Sequence, residues 1–369
     1  MPRILHLYKS YYSRDFGGVG QVIYQIAQAS KSQGYQHDVL VLHEGDELEV
    51  VEYEEARVHY VPQNLDLLST PMGWRMVGQF RRLSREADLI HYHFPYPVAD
   101  LLDLLIRPTC PSLVTYHSDI VKQKLALKLY SPLMNQFLRS VDRIVATSEN
   151  YCRTSPVLSA YTDKLDVVPL GLDEQGYPEV SPECLARWQA RAGQGFFFFI
   201  GALRYYKGLE YLIEAARTTG LPVVIAGSGG IEAELHAQAA GLDNVIWAGR
   251  VDEEDKAALF QLCGALAFPS HLRSEAFGIS LIEACMYGKP MISAEIGTGT
   301  TFVNQADETG LVVPPADAGA LAQAMRQLAS DSALMQRLGR NARQRFEQHF
   351  TARQMADSYQ ALYQQLLTG

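Results

Sequence analysis

The stretch SHLRSEAFGISLIEACMYGKP, Ser270 to Pro290, decides how the rest of the chain is interpreted. The apolar residues 265–268 before it and 291–293 after it predict two short buried strands. Residues 278–287 predict a helix, because Gly288 is a residue typical of the position that follows a helix C-terminus. The stretch therefore predicts a strand, a loop, a helix and a second strand.

Two carboxylates and a helix N-terminus occur together in this stretch. Glu275 precedes the predicted helix and Glu283 lies within it, with seven residues between them. The unpaired amides of residues 278–280 favour an anion, and Gly278 lets a ligand approach the backbone closely. Since amides suit a phosphate and carboxylates accept from hydroxyl groups, the pattern indicates a negatively charged, hydroxyl-rich ligand such as a sugar nucleotide.

The run EAFGISLIEACMYGKP resembles the Glu-x7-Glu signature of retaining glycosyltransferase family 4. Two glutamates eight positions apart also occur on solvated helix faces, but Ser270, Phe277-Gly278 and Gly288-x-Pro290 make the context specific. The resemblance implies an α/β GT-B fold, in which two Rossmann-like doubly wound domains face each other across a cleft. It also implies a metal-independent transferase without a cofactor, and the sequence contains no Asp-x-Asp metal motif.

Alternating strands and helices occur twice along the chain, which predicts two domains. We expect an N-terminal, acceptor-side domain over residues 1–173 and a C-terminal, nucleotide-sugar-binding domain over residues 184–351. Residues 174–183 lack apolar periodicity and contain two prolines, so we interpret them as a linker. The resemblance implies that the last helix, residues 352–369, crosses back to the N-terminal domain.

Composition limits the classes of protein that fit. The chain has 369 residues, of which 47% are hydrophobic and 20% charged, as in a globular protein of two domains. A net charge of −9 argues against nucleic acid as a partner. Five scattered cysteines without CxxC spacing argue against a zinc site or disulfide framework and for a reducing cytoplasm. No run predicts a membrane span or a signal peptide.

The N-terminal half contains two candidate contacts with the donor. Gly17 and Gly18 follow the first predicted strand, where the family has a glycine pair facing the donor, although a tight turn explains such glycines equally well. His117, in the sequence TYHSD, ends a strand and resembles the position that contacts the donor sugar. His91 and His93 also end a strand, and they fit a structural role as well as an acceptor-side one.

The C-terminal half contains the candidate cations for a diphosphate leaving group. Lys207 matches the lysine of the family pattern Gly-Arg-x4-Lys-Gly, whereas Ala202 occupies the usual arginine position and Arg204 lies two residues later. Preorganised cations at such a position stabilise the charge that develops on the departing diphosphate. Solvated surface charges are the alternative for this loop.

The resemblance assigns roles to further residues of this half. Glu283 is expected to hold the ribose hydroxyls and Glu275 to lie near the donor sugar. Phe277, Gly278 and Ile279 would offer amides to the sugar or the distal phosphate. The segment Arg250-Val251 matches the part of the family that contacts the base, where backbone groups do most of the work.

Two stretches of the N-terminal half mix basic and apolar residues: Trp74 to Arg85 and Val121 to Arg143. One interpretation is amphipathic helices that pack their leucines into the core. The other is peripheral contact with an anionic inner-membrane surface, on the cytoplasmic side. Membrane contact would bring the enzyme close to a lipid-linked acceptor.

The sequence thus predicts a retaining glycosyltransferase. The forms LRYYKGL, HLYKSYY and Gly297-Thr-Gly-Thr-x2-Val303-Asn304 resemble a subgroup that builds bacterial surface polysaccharides from GDP-mannose or GDP-rhamnose. GDP-mannose is the predicted donor, and the predicted acceptor is lipid-linked or an oligosaccharide. The alternatives are a UDP-sugar-dependent transferase, another GT-B activity such as an epimerase or a phosphorylase, and a non-catalytic nucleotide-sugar-binding subunit. The resemblance implies retention of anomeric configuration and, since no residue is placed as a nucleophile for double displacement, front-face attack.

Overall fold

The computed structural model describes residues 1–12, 14, 18–67, 70–120 and 124–368. These residues form two compact units, one of Met1–Gly171 with Ala352–Gly369 and one of Leu172–Thr351. Segment 174–183, expected as a linker, belongs to the second unit: Glu174–Gly176 is a 3-10 turn, and Ser181 caps the helix that begins at Pro182.

The first unit is built on an eight-stranded sheet. Its strands and those of a separate hairpin are β1 Arg3–Leu7, β2 Gln36–His43, β3 Glu49–Glu52, β4 Arg57–Pro62, β5 Leu65–Leu67, β6 Thr70–Met72, β7 Leu89–Phe94, β8 Ser112–Tyr116, β9 Arg143–Ala146 and β10 Leu165–Val167. The sheet order is β10-β9-β8-β7-β1-β2-β4-β3, and β5 pairs with β6. Only β3 runs antiparallel to its neighbour in the eight-stranded sheet. The central strands are buried on both faces, as expected of a parallel sheet covered by helices.

Helices cover this sheet: α1 Gly18–Ser30, α2 Met76–Glu86, α3 Pro97–Ile106, α4 Lys124–Ser140 and α5 Glu149–Thr154. The final helix of the chain, Ala352–Thr368, belongs to the same unit and packs against α1. In the described parts of the chain, no helix combines the length and apolarity needed to cross a bilayer.

The second unit is built on a six-stranded parallel sheet of order β13-β12-β11-β14-β15-β16. Its helices and strands are α6 Pro182–Ala192, β11 Phe197–Ile200, α7 Leu209–Thr219, β12 Val223–Ala226, α8 Glu232–Gln238, β13 Val245–Gly249, α9 Glu253–Leu262, β14 Ala265–Phe268, α10 Ile279–Met286, β15 Met291–Ala294, α11 Thr300–Val303, β16 Gly310–Val313, α12 Ala318–Ser330 and α13 Ser332–His349. The helix Ala352–Thr368 is α14. Strand β14, loop, helix α10 and strand β15 follow one another as the stretch around Glu275 predicts.

Strand order places the functional loops. From β11 the chain winds outward to β12 and β13, and from β14 it winds the other way to β15 and β16. The loops after β11 and β14 therefore leave the same edge of the sheet in opposite directions, which opens a crevice where α/β proteins bind ligands. Strands β1 and β7 have this relation in the first unit. The predicted pair of Rossmann-like domains is confirmed.

Candidate functional site

The crevice between β11 and β14 contains a buried ion pair. The Nζ atom of Lys207, after β11, lies 2.5 Å from Oε2 of Glu275, after β14. The hydroxyl of Ser270 donates to the same oxygen at 3.1 Å. Both charged side chains are 11% exposed. In the described part of the chain, Oε1 of Glu275 has no hydrogen-bond partner, so this carboxylate has one oxygen left for a ligand hydroxyl.

Close packing of the two loops holds Lys207 in place. Gly208 has φ +69°, and a Cβ atom there would overlap the carbonyl oxygen of Pro269. Only glycine therefore allows the loop after β11 to lie this close to the end of β14. The Lys207 ammonium also lies 5.1 Å from the ring centroid of Phe268, within the range of a cation–π contact.

Helix α10 begins where the sequence predicts. Gly278 is its N-cap residue and has φ +90°. As a glycine it offers no side chain to cap the amides of the first turn. The N-terminus of α10, beside Glu275, thus presents backbone amides to an anion. Phe277 and Gly278 are buried, whereas Ile279 is partly exposed.

The second carboxylate has partners of its own. Oε1 of Glu283 lies 2.8 Å from Nζ of Lys256, in α9, and accepts from the Tyr177 hydroxyl at 2.9 Å. Oε2 of Glu283 has no hydrogen-bond partner among the described residues. Glu283, like Glu275, therefore directs one oxygen to the protein and leaves the other for a ligand.

Electrostatics keeps this group in defined protonation states. Burial alone would lower the pKa of Lys256, but Glu283 and Glu253 outweigh burial and raise it. Burial, and then Glu283, raise the pKa of the Tyr177 hydroxyl well above 10. At neutral pH Lys256 is therefore a cation and Tyr177 a hydrogen-bond donor, and both contact the same oxygen of Glu283.

The other predicted residues of the second unit lie at its surface. Arg204 is exposed and precedes the 3-10 turn Tyr205–Lys207, and within the described ranges it makes no ion pair. Arg250 is exposed and Val251 is partly exposed, directly after β13. The structure thus brings Lys207 together with Glu275, while Arg204 and Arg250 make no contact with either carboxylate.

The first unit contains the remaining candidates. Gly18 is the first residue of α1, and Gly17 lies outside the described residues. His117 is 8% exposed, and its Nε2 atom lies 3.0 Å from Nδ1 of His93. His91 is fully buried between Thr115 and Tyr363, which favours the structural interpretation of this residue.

Sequence reasoning missed Lys256 and Tyr177. Lys256 follows the acidic residues that begin α9 and also pairs with Glu253 at 2.6 Å, and its local sequence does not indicate a contact with Glu283. Tyr177 falls in the segment interpreted as a linker. Both residues reach Glu283 only through the fold, since Tyr177 lies 106 residues from Glu283 in the sequence. The sequence around either residue does not indicate this contact.

Two known family patterns match the chain. Residues 16–175 match "Glycosyltransferase Family 4", and residues 182–345 match "Glycosyl transferases group 1". The two matches correspond closely to the two units of the structure, apart from the C-terminal helix.

Curated relatives match over nearly the whole chain. The D-rhamnosyltransferase WbpZ of Pseudomonas aeruginosa is 52% identical over 352 residues, which are 95% of this chain and 92% of the relative. The O-antigen chain mannosyltransferase C of Escherichia coli is 47% identical over 367 residues, 99% of each chain.

A solved structure supports the fold. The sucrose-phosphate synthase of Thermosynechococcus elongatus superimposes with a TM-score of 0.84 at 22% identity, over 99% of both chains. At this identity the likeness concerns the fold alone. Together with the two sequence matches, it shows that the chain belongs to the family 4 glycosyltransferases, which have the GT-B fold.

Proposed function

We propose that this glycosyltransferase transfers mannose from GDP-mannose to a lipid-linked or oligosaccharide acceptor in bacterial surface glycan synthesis, with retention of anomeric configuration. Two close relatives, a D-rhamnosyltransferase and an O-antigen chain mannosyltransferase, support the sugar class and the pathway. The observation that carries the proposal is the arrangement of Glu275, beside the N-terminus of α10, and Glu283, within α10: each has one carboxylate oxygen without a hydrogen-bond partner among the described residues.

In the proposed complex, one Glu283 oxygen accepts from the ribose hydroxyls and one Glu275 oxygen from the sugar. The amides of Phe277, Gly278 and Ile279 bind the sugar or the distal phosphate, and the Arg250-Val251 segment meets the base. Gly17, Gly18 and His117 of the first unit are assigned to the donor by resemblance. Arg204, which is exposed, has the freedom to turn toward a diphosphate.

The proposed reaction is a front-face displacement that uses no metal ion or organic cofactor. The acceptor hydroxyl oxygen forms the new bond to C1 of mannose as the bond from C1 to the phosphate oxygen breaks. The hydroxyl proton passes to the departing phosphate oxygen. Lys207 stabilises the negative charge of that phosphate, and its position before the reaction limits the reorganisation needed.

A thermal-shift panel tests the donor. A ligand that binds only the native state raises the melting temperature, so GDP and GDP-mannose are expected to stabilise the protein more than UDP, ADP and their sugars. Stabilisation by UDP and not by GDP would replace the donor by a UDP-sugar while leaving the reaction class unchanged. Binding of GDP-mannose without transfer or slow donor hydrolysis would favour the alternative of a non-catalytic subunit.

We also propose peripheral contact of the first unit with anionic lipid. Trp74 is 70% exposed just before α2, and Leu129 in α4 is 86% exposed. Arg75, Arg81 and Arg85 are exposed near Trp74, although Phe137 of the second stretch packs in the core. Residues 121–123 of that stretch lie outside the described residues. Exposed aromatic and basic side chains together suit an anionic interface.

Vesicle sedimentation tests the membrane proposal. Binding to vesicles that contain phosphatidylglycerol, and not to neutral phosphatidylcholine vesicles, is the expected result. The variant Trp74→Ala with Arg75→Ala is expected to weaken binding, whereas Arg326→Ala, at an exposed site of the second unit, leaves it unchanged. Equal binding to both kinds of vesicle, or to neither, would contradict the proposal.

A further inference from the structure

A chain of hydrogen-bonded histidines crosses the interior of the first unit. It starts at Ser30, the last residue of α1, and ends at His117, after β8. The contacts are Ser30 Oγ to His37 Nε2 at 2.9 Å, His37 Nδ1 to His6 Nε2 at 2.9 Å, His6 Nδ1 to His93 Nε2 at 3.1 Å and His93 Nδ1 to His117 Nε2 at 3.0 Å. We call these four histidines the histidine chain.

Strand register explains why the histidines meet. Neighbours in a parallel sheet that share a register position point to the same face, as do residues two apart in one strand. His6 is in register with His91, and His93 with Thr115. These residues, with His37 and His117, therefore line one face of the sheet, beneath α1 and α14.

The members of the histidine chain are neutral at pH 7. Burial lowers the pKa of His37 to about 4 and that of His117 to about 3. Burial, followed by repulsion between neighbouring histidines, holds the pKa of His6 and His93 well below 6.5. A neutral imidazole has one N–H group and one acceptor nitrogen.

Neutral rings leave two possible directions for the hydrogen bonds. Each of the three bonds between rings needs one donor and one acceptor, so the direction of one bond fixes all the others. If His37 donates to Ser30, each ring donates from Nε2, including His117. If Ser30 donates to His37, each ring donates from Nδ1, and His117 Nδ1 carries a proton.

Ser30 decides between the two directions. Its hydroxyl oxygen lies 2.5 Å from the carbonyl oxygen of Ile26, one turn earlier in α1. A carbonyl oxygen only accepts, so the single hydroxyl proton of Ser30 lies in this contact; without it, two oxygen lone pairs would face each other. Ser30 therefore accepts from His37, and every ring of the chain carries its proton on Nε2.

We propose that Ser30, acting through the histidine chain, fixes His117 in the tautomer protonated on Nε2, so that His117 meets a ligand hydroxyl as an acceptor through Nδ1. Nδ1 has no hydrogen-bond partner within the described residues, and His117 keeps 8% of its surface exposed. Ser30, His37, His6 and His93 are then positioning residues. Only the identity of the hydroxyl, as one of the donor sugar, rests on the proposed function.

A metal site is the competing interpretation of this cluster. Ring nitrogens of His6, His91 and His93 lie within 4.8 Å of one another. Both nitrogens of each ring already have hydrogen-bond partners, however: His91 contacts Thr115 at 2.7 Å and Tyr363 at 2.8 Å, and the other two belong to the chain. A metal ion would have to break several of these bonds, so hydrogen bonding is the better account.

The tautomer of His117 is directly measurable in the unmodified protein. Full-length protein labelled with 15N in histidine gives two-bond 1H–15N spectra that distinguish a protonated from an unprotonated ring nitrogen. The variant His117→Gln assigns its signals. At pH 7 we expect a protonated Nε2 and an unprotonated Nδ1. A protonated Nδ1, a doubly protonated ring, or a spectrum of His6, His91 and His93 that changes on adding EDTA would overturn the proposal.

Variants of Ser30 test its control over His117 at a distance. Ser30→Ala removes the acceptor for His37, so the spectra are expected to show the Nδ1-protonated form of His117 in part or in full. Ser30→Thr keeps the hydroxyl and is expected to keep the native tautomer. Ser84→Ala is the control, since Ser84 is another buried helical serine that bonds to a backbone carbonyl. An unchanged His117 tautomer in folded Ser30→Ala would contradict the role of Ser30.

Donor addition separates this proposal from the proposed function. GDP-mannose is expected to shift the His117 Nδ1 signal, and Ser30→Ala to lower kcat/KM about 2- to 10-fold, as for one neutral hydrogen bond. If the tautomer is as proposed but GDP-mannose leaves the signal unchanged, the donor assignment of His117 fails while the tautomer stands. If the tautomer is reversed, this proposal fails whatever the substrate.

Discussion

At the scale of single residues, Lys207 and Glu275 each have two roles that a single substitution cannot separate. Each neutralises the charge of its partner, whose side chain is only 11% exposed to solvent. Each is also proposed to contact the ligand. Removing one member of a buried pair leaves an uncompensated charge, which costs about 3–5 kcal/mol of stability. A loss of activity in a single variant is therefore ambiguous unless stability is measured with it.

A double-mutant cycle separates the two roles. Lys207→Met and Glu275→Gln are each expected to lower the free energy of unfolding, and the double variant to recover part of that loss because no charge is left unpaired. Activity should not recover: kcat falls about 10²-fold or more in both Lys207 variants, as for loss of a preorganised donor. Urea unfolding and donor turnover measure the two quantities. A double variant with restored kcat would show that Lys207 acts only on structure.

Glu283 and Lys256 give a second prediction at this scale. Glu283→Ala is expected to weaken GDP binding by about 1.5–3 kcal/mol, as for a hydrogen bond to a charged group. Lys256→Met is expected to weaken GDP binding as well, because Lys256 contacts Oε1 of Glu283 at 2.8 Å and helps to hold the carboxylate in position.

Calorimetry with GDP checks the Glu283 prediction. Lys289→Met is the matched control, since Lys289 contacts the carbonyl oxygens of Gln261 and Cys263 and, among the residues that the structure describes, no carboxylate. Unchanged GDP affinity in folded Glu283→Ala would remove Glu283 from the nucleotide site.

At the scale of elements, Gly208 joins the loop after β11 to the end of β14. Gly208 and Gly220 both have φ +69°, but a Cβ atom at 220 would meet nothing within 4 Å, whereas one at 208 would overlap Pro269. Gly220→Ala is expected to cost about 1–2 kcal/mol for the left-handed backbone. Gly208→Ala should cost clearly more and should also lower activity, because Lys207 follows the loop. Equal melting temperatures for the two variants would contradict this account of the loop.

The sequence predicted most elements because their signals are local. The strand, loop, helix and strand around Glu275 follow from apolar runs and a terminal glycine. Strands β3–β6 and helices α3, α5, α6 and α11 were missed. The strands are short, and several residues of β3 and β5 are exposed, so they carry no clear alternation. Helix α6 has its N-cap Ser181 and an N-terminal proline in the sequence, and the linker interpretation concealed them.

The histidine chain and the Lys256–Glu283 contact were out of reach of the sequence for a different reason. His6 and His93 are 87 residues apart, and their contact depends on the register of β1 against β7. Strand register and strand order are set by the tertiary structure and not by the local sequence. The sequence indicated only that His91, His93 and His117 lie at strand ends, and not which partners they have.

At the scale of the whole molecule, five buried histidines of the first unit make its stability depend on pH. They are His6, His37, His91, His93 and His117, all with a pKa lowered first of all by burial. Unfolded histidines bind protons below about pH 6.5, whereas these do not. Their contribution is therefore fully present above about pH 6.5 and is lost as the pH falls toward about 4.

The predicted change of stability with pH has the opposite sign from the change that Asp100 alone would cause. Burial raises the pKa of Asp100 to about 8, and the pKa of Asp103 also rises, so these groups release protons on unfolding. The histidines outnumber them, and stability should fall from pH 7 to pH 5 by roughly 1.4 kcal/mol per pH unit for each net proton bound on unfolding.

Hydrogen exchange, corrected for its intrinsic pH dependence, measures how stability changes with pH separately in the two structural units. Peptides from β1 and β7 should lose protection between pH 7 and pH 5 more steeply than those from β11 and β14. Equal slopes in the two units would show that the histidines are not held neutral by the fold.

We propose above that this family 4 glycosyltransferase cleaves GDP-mannose with retention of anomeric configuration. The most direct test needs no acceptor: the protein is incubated with GDP-α-D-mannose, and the first mannose released by slow hydrolysis is followed by proton NMR before its anomers equilibrate. We expect α-mannose and GDP, and a hydrolysis rate reduced about 10²-fold or more in Lys207→Met. First-formed β-mannose, or turnover of UDP-sugars with none of GDP-mannose, would contradict it.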